Sequence, residues 1–289
     1  MSLTLSQAKI AFVGAGSMAE AIFRGLIERE VATPQHIYVM NRSNQARMEH
    51  IRSEYGVHTT SDAATREAYI READVVVLCM KPKDVEASFA DLQPLLNEKQ
   101  LLVSVIAGLS IAKIEHLLQT RMPIVRTMPN TSSTIGLGAT GMSFSTAVNE
   151  PLRQLATQMF EAVGIVSIVE ESKIEIVTGL SGSGPAYVYY FMEAMTKAGI
   201  EGGLTEENAR KLTLQTVLGA AHMVQITQED PAELRRKVTS PNGSTQAAIE
   251  VLDRYQFAEG IERAVFRSAD RTKEMGEQIA AAPSSSVQS

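Results

Sequence analysis

The chain has 289 residues, of which 44% are hydrophobic and 21% charged, with no tryptophan and a net charge of −6. That length suits one or two domains, each able to bury a proper core, and the balance is that of a soluble globular protein. The negative charge argues against a nucleic-acid partner, no apolar run reaches the length of a membrane span, and residues 1–7 lack the regions of a signal peptide, so a cytoplasmic protein is expected. Cys79, the one cysteine, excludes a disulfide within the chain and falls in the apolar run that begins at Val75, which suits a buried strand residue better than a nucleophile.

Residues 9–13 form an apolar strand that runs straight into Gly14-Ala15-Gly16-Ser17-Met18-Ala19. This is the spacing of a dinucleotide-binding turn. Gly14 allows the sharp exit from the strand, Gly16 lets backbone amides approach a pyrophosphate, and Ala19 lets the following helix pack on the sheet. Amides and helix dipole would hold the phosphates. The same glycines can also serve a purely structural turn, but their place between an apolar strand and an amphipathic helix with Ile22, Leu26 and Ile27 on one face favours nucleotide.

A second strand, residues 36–40, leads into Asn41-Arg42-Ser43, where an acidic residue would bind the ribose 2′-hydroxyl of NAD. None is present. Arg42 can pair with a 2′-phosphate, and Asn41 and Ser43 can donate to it, which points to NADP; the alternative is that Arg42 is a solvated loop residue. Helix 44–55, strand 57–59, a helix capped by Asp62 and the apolar strand 74–79 follow. Met80-Lys81-Pro82 comes next, in a position to line the cofactor crevice, although Lys81 could equally face solvent.

Strand 101–105 precedes Ala107-Gly108 and a helix from Ser110 anchored by Ile111, Ile114, Leu117 and Leu118. Strand 123–128 ends in Pro129-Asn130, and the donor and acceptor of Asn130 suit a nicotinamide carboxamide as well as a turn. A glycine-weakened strand 136–145, a helix 149–162 and a strand 164–169 complete an alternation that predicts a doubly wound parallel sheet.

From Glu171 onward the patterns are helical, which predicts domains at 1–170 and 171–281 and a disordered tail at 282–289. Ser181-Gly182-Ser183-Gly184-Pro185 introduces an apolar helix and leaves room for a flat ring or a compact substrate; close backbone packing is the alternative. The helix after Thr205 is apolar or small nearly all round in its middle, residues 212–221, so a second subunit is expected to cover it in an interlocked homodimer. His222 has no evident partner, and a structural, hydrogen-bonded role is expected. Asp230-Pro231 starts a further helix, and the hydroxyl-rich loop 238–245 precedes a helix from Gln246, a suitable anion site or simply a well-capped start. A final amphipathic helix covers 257–280.

Several of these stretches together resemble the pyrroline-5-carboxylate reductase family: Phe12 to Ala19, Lys81-Pro82, Met128-Pro129-Asn130, Leu180 to Tyr187, Gln215-Thr216 with Gly219-Ala220-Ala221, and Leu234-Arg235 with Val238-Thr239-Ser240-Pro241. The resemblance implies an α/β chain with an N-terminal Rossmann-type sheet and an all-helical C-terminal dimerisation domain, often in larger assemblies of dimers. It also implies reduction of L-1-pyrroline-5-carboxylate to L-proline by NADPH or NADH, without a metal. By the same resemblance Ser240 and the amides near Gly243 and Ser244 would hold the substrate carboxylate, and the Thr245 hydroxyl would lie near the ring nitrogen. Where the family has Ser-Pro-Gly-Gly-Thr-Thr, this chain has Ser240-Pro241-Asn242-Gly243-Ser244-Thr245. Asn accepts positive φ and Ser keeps the hydroxyl, so the loop is expected to survive. Two alternatives stay open: a reductase of the same build for another imine or a hydroxy acid, and a non-catalytic paralogue. Against the hydroxy-acid reading, no lysine lies between Lys173 and Lys197.

Overall fold

The computed structural model describes residues 3–281; the tail expected at 282–289 lies outside them. They divide into two compact units, residues 3–183 with 267–281, and residues 184–266.

In the first unit, short and mostly apolar runs form strands, and helices form between most of them. The order is β1 (Ile10–Val13), α1 (Ser17–Glu28), β2 (Ile37–Met40), α2 (Gln45–Tyr55), β3 (His58–Thr60), α3 (Ala63–Glu72), β4 (Val75–Leu78), α4 (Val85–Leu92), β5 (Leu101–Ser104), α5 (Ile111–Leu118), β6 (Ile124–Met128), β7 (Gly138–Phe144), α6 (Glu150–Glu161) and β8 (Gly164–Ile168). Asn44, Asp62, Ser110 and Asn149 each accept a backbone N–H from the first turn of the helix they precede, Asp62 as expected.

The eight strands form one sheet in the order β3-β2-β1-β4-β5-β6-β7-β8. Alternate residues face opposite layers. Phe12, Val39, Val77, Val103 and Val125 pack under α1, α2 and α6, whereas Ala11, Val76, Leu78, Leu102 and Ile124 pack under α3, α4 and α5. Burial on both faces is why the strands are continuous apolar runs. Phe12, Phe23 and Tyr55 stack edge to face at 5.6 and 5.3 Å and key α1 and α2 to the first layer.

One pairing departs from the expected parallel sheet. Strand β7 runs antiparallel to β6, with Met128 opposite Gly141. Residues 129–137 hold only a 3-10 turn and cannot make the helical crossover a parallel return needs. Strand β8 then pairs parallel with β7.

After β8 the chain forms α7 (Ile174–Val177), a π-helical turn at Thr178–Gly182, and α8 (Gly184–Glu201). The small-residue stretch is thus part of a nearly continuous helical path rather than an open loop. The second unit contains α8, α9 (Glu206–Thr227), α10 (Pro231–Lys237), α11 (Ser244–Arg254) and the start of α12 (Phe257–Ala281), whose later residues belong to the first unit. In this second unit only Ala209 and Thr213 are buried among the described residues, while Tyr190 and Ile226 are each 76% exposed. Helices this apolar have not buried their own faces. His222, expected to be structural, is exposed on α9. No helix among the described residues is long and apolar enough to cross a membrane.

Candidate active site

The glycine turn leaves β1 with Gly14 at φ +115°, a conformation that L side chains rarely adopt. Its N–H donates to the Met40 carbonyl at 3.0 Å, tying the turn to the end of β2. Gly16 is exposed, and apart from its chain neighbours no atom lies within 4 Å of where a Cβ would stand, so the space over this residue is open. Gly16 is also the N-cap of α1 and supplies no side-chain acceptor. The N–H groups of Ser17, Met18 and Ala19 consequently donate to no acceptor among the described residues. Open space and free amides at the start of a 12-residue helix fit a pyrophosphate. Ala19 itself is fully buried against the sheet.

Strands β2 and β4 flank β1 in the sheet, so their ends lie on either side of this turn. Beyond β2, the Asn41 side-chain oxygen accepts the N–H groups of Ser43 and Asn44 at 3.1 and 3.0 Å, which shapes the loop. Arg42 stretches to Asp91 at 3.1 Å and Ser88 at 3.3 Å, with its side chain half exposed. A guanidinium with exposed donors in a solvated pair can exchange Asp91 for a phosphate at small cost. Beyond β4, Met80 is half-buried, Lys81 is exposed, and Pro82 opens a 3-10 turn. Lys81 makes no ion pair among the described residues. Cys79 is only half-buried as a residue, but burial of its thiol pushes the pKa far up, which leaves it a poor nucleophile.

Beyond β6, Asn130 is 8% exposed and its amide is engaged at both ends. Nδ2 donates to the Ser181 carbonyl at 3.0 Å, and Oδ1 accepts the Ala139 N–H at 3.3 Å. The donor and acceptor expected to meet a carboxamide therefore serve first to fasten the π-turn and β7 to the end of β6. A buried ion cluster supports the same segment. Arg126, 2% exposed within β6, donates to Glu171 at 3.1 Å and Glu175 at 2.7 Å, and Glu171 also accepts the Ile111 N–H at 2.7 Å. Sequence reasoning passed over this cluster, although an arginine inside an apolar strand was a sign that carboxylates must meet it.

In the second unit, Ser240 to Thr245 form a tight turn onto α11, which begins two residues earlier than expected. Asn242 adopts φ +59°, as its chemistry allows. Its N–H donates to Gln246 Oε1 at 2.8 Å, and the Gly243 N–H donates to the Ser240 carbonyl at 3.0 Å. Gly243 is the N-cap and offers no side chain, so the N–H groups of Ser244, Thr245 and Gln246 have no acceptor among the described residues. Ser240 and Ser244 are exposed and Thr245 is half-buried. Free amides at the start of an 11-residue helix, in a stretch that also carries three hydroxyl side chains, suit an anion.

Comparison with known proteins gives these two sites a common context. Residues 171–275 match the family model for pyrroline-5-carboxylate reductase dimerisation, and residues 9–108 match that of coenzyme F420-dependent NADP oxidoreductases. Pyrroline-5-carboxylate reductase 1 of Bacillus subtilis is 41% identical over 283 residues, 97% of this chain and 94% of the relative. A pyrroline-5-carboxylate reductase structure from Coxiella burnetii is 40% identical with a TM-score of 0.85, covering 93% of this chain and 98% of the other. The structure of the Plasmodium falciparum enzyme with NADP bound has the same TM-score of 0.85 at 28% identity, covering 94% and 99%. On this agreement along nearly its whole length, the chain belongs to the pyrroline-5-carboxylate reductase family.

Proposed function

We propose that this protein reduces L-1-pyrroline-5-carboxylate to L-proline, the last step of proline biosynthesis, with NADPH preferred over NADH. The observation that carries the reading is the Ser240–Thr245 turn. The family's loop chemistry is kept there despite Asn242 and Ser244, with Asn242 in the left-handed conformation that glycine would otherwise supply.

Bound cofactor would supply the hydride that the carbon of the C=N bond takes up. The chain's own contribution is binding and orientation. Gly14, Gly16 and the amides of Ser17, Met18 and Ala19 would hold the pyrophosphate, and Arg42 with Asn41 and Ser43 the 2′-phosphate. Met80, Lys81, Pro82 and Asn130 would line the crevice. Ser240, Gly243 and Ser244 would bind the substrate carboxylate, and the Thr245 hydroxyl would orient the ring nitrogen. A cyclic imine takes its proton from solution, so no strong acid is required of the protein, and positioning alone can supply a large share of the rate. A homodimer, itself able to join larger assemblies, covers the apolar helices of the second unit. A cytoplasmic location belongs to the same proposal and rests on composition.

The test is oxidation of NADPH by the purified protein with pyrroline-5-carboxylate, repeated with NADH. Rapid substrate-dependent turnover that is faster with NADPH is expected. Thr245→Ala should lower kcat by about a hundredfold with the fold intact, the order found for losing one oriented donor. Cofactor binding without turnover would refute the substrate and leave the dinucleotide site standing.

A further inference from the structure

Arg47 on α2 is held at three points, and together they connect two loops of the cofactor site. Its Nε–H donates to the Ala15 carbonyl at 3.2 Å. Its Nη2 donates to Glu20 Oε2 at 2.5 Å, and Glu20 Oε1 accepts the Tyr55 hydroxyl at 3.0 Å. Its backbone N–H donates to the Asn44 side chain at 2.9 Å, closing the loop that carries Arg42. The Arg47 and Glu20 side chains are 25% and 21% exposed, so water competes only weakly for these bonds.

The bond to Ala15 has a directional consequence. In a planar trans peptide the carbonyl and the next N–H point in opposite directions. Holding the Ala15 carbonyl toward α2 therefore turns the Gly16 N–H away from α2. Gly16 is the residue with open space over it. The positive charge of Arg47 is answered by Glu20, so its contribution is a fixed fork rather than a free counter-charge.

We infer that Arg47 is a positioning residue for the cofactor, setting the direction of the Gly16 amide through the Ala15 carbonyl, with Glu20 and Tyr55 fixing the guanidinium. The inference rests on the dinucleotide reading of the glycine turn. The pyrophosphate is common to NADPH and NADH, so Arg47 serves both. Arg42 serves only the 2′-phosphate. Lysine cannot replace Arg47, because one ammonium group lacks the fork that reaches Ala15 and Glu20 together.

Calorimetric titration of NADPH and NADH into the full-length wild type, Arg47→Met, Arg47→Lys and Arg42→Ala tests this, with kcat measured at saturating cofactor. Both Arg47 variants should bind NADPH and NADH more weakly by the same factor, about tenfold, the equivalent of one lost oriented contact. Their kcat should stay within about twofold of wild type, since the loss is in uniform binding. Arg42→Ala should weaken NADPH alone. Arg47→Lys keeps the ion pair with Glu20 and decides the matter where Arg47→Met is unstable. Loss confined to NADPH in the Arg47 variants, or wild-type binding of both cofactors by Arg47→Lys, overturns the inference. Wild-type protein that binds neither cofactor refutes the dinucleotide reading itself, before any variant is compared.

Discussion

Gly14 and Cys79 meet backbone to backbone: a Cβ on Gly14 would stand 2.7 Å from the Cys79 carbonyl oxygen. The end of β4 thus passes as close to the glycine turn as two main chains allow. Gly14 is constrained by this neighbour and by its φ of +115°, whereas Gly16 is constrained by neither. The two glycines therefore predict different phenotypes. Gly14→Ala forces an alanine into a strained conformation worth about 1–3 kcal/mol, and the clash with Cys79 adds to it, so chemical denaturation should show a loss of stability together with lost cofactor binding. Gly16→Ala adds a methyl group to open space. Its denaturation midpoint should match wild type while cofactor affinity falls, and normal affinity in that variant would show that the open space over Gly16 is not where the pyrophosphate lies.

The buried cluster at Arg126 yields a second prediction. Arg126→Met removes the cation and leaves Glu171 and Glu175 facing each other in a partly buried site; breaking such a pair from one side costs about 3–5 kcal/mol. Glu175→Gln should cost less, because Glu171 still pairs with Arg126 and with the Ile111 N–H. Equilibrium urea unfolding of the two variants checks the order. Equal losses would mean that Glu171 cannot hold Arg126 alone.

Much of this architecture could be read from residue order because it is built from local signals. Val75 to Leu78 is apolar without interruption since both faces of β4 are covered, and the caps at Asn44, Asp62, Ser110 and Asn149 act within three residues. The left-handed φ of Asn242 also follows from the chemistry of one side chain. What was missed is non-local. Nothing in the spacing of Glu20, Arg47 and Tyr55 announces that they meet. The reversal of β7 depends on the lack of a crossover helix in residues 129–137, and the π-turn hides in a stretch whose small residues suit a loop equally well. Asn130 shows the limit most clearly: its donor and acceptor were legible, but Ser181 and Ala139 as their partners were not.

Glu20 makes stability depend on pH. Burial alone would raise its pKa, but the bonds from Arg47 and Tyr55 outweigh that effect and hold the carboxyl below its ordinary value of 4.5. A carboxylate with a lowered folded-state pKa stabilises the protein above its unfolded pKa, and that stabilisation disappears as the pH falls through the folded value. Glu20→Gln should therefore melt below wild type at pH 7 and converge with it once the pH has fallen through that lowered folded-state value. Thermal melts of both proteins across the acid range test this. A constant gap between them would mean that Glu20 acts through packing rather than charge.

Asn242 decides whether the altered loop is a change in geometry or in substrate contact. At φ +59°, with its N–H held by Gln246, it occupies a place where glycine serves equally well. Asn242→Gly should therefore leave KM for the imine and the choice of substrate unchanged. Asn242→Val should not, because left-handed backbone costs a residue with a Cβ about 1–2 kcal/mol, and the turn can relieve that strain by opening and misplacing the Ser244 and Thr245 amides. KM for the imine should then rise by about tenfold, the equivalent of one misplaced contact, while KM for NADPH, bound by another part of the chain, stays constant. If Asn242→Gly itself changes substrate preference, the asparagine side chain touches the substrate, and the departure from the family sequence is a matter of specificity and not only of backbone form.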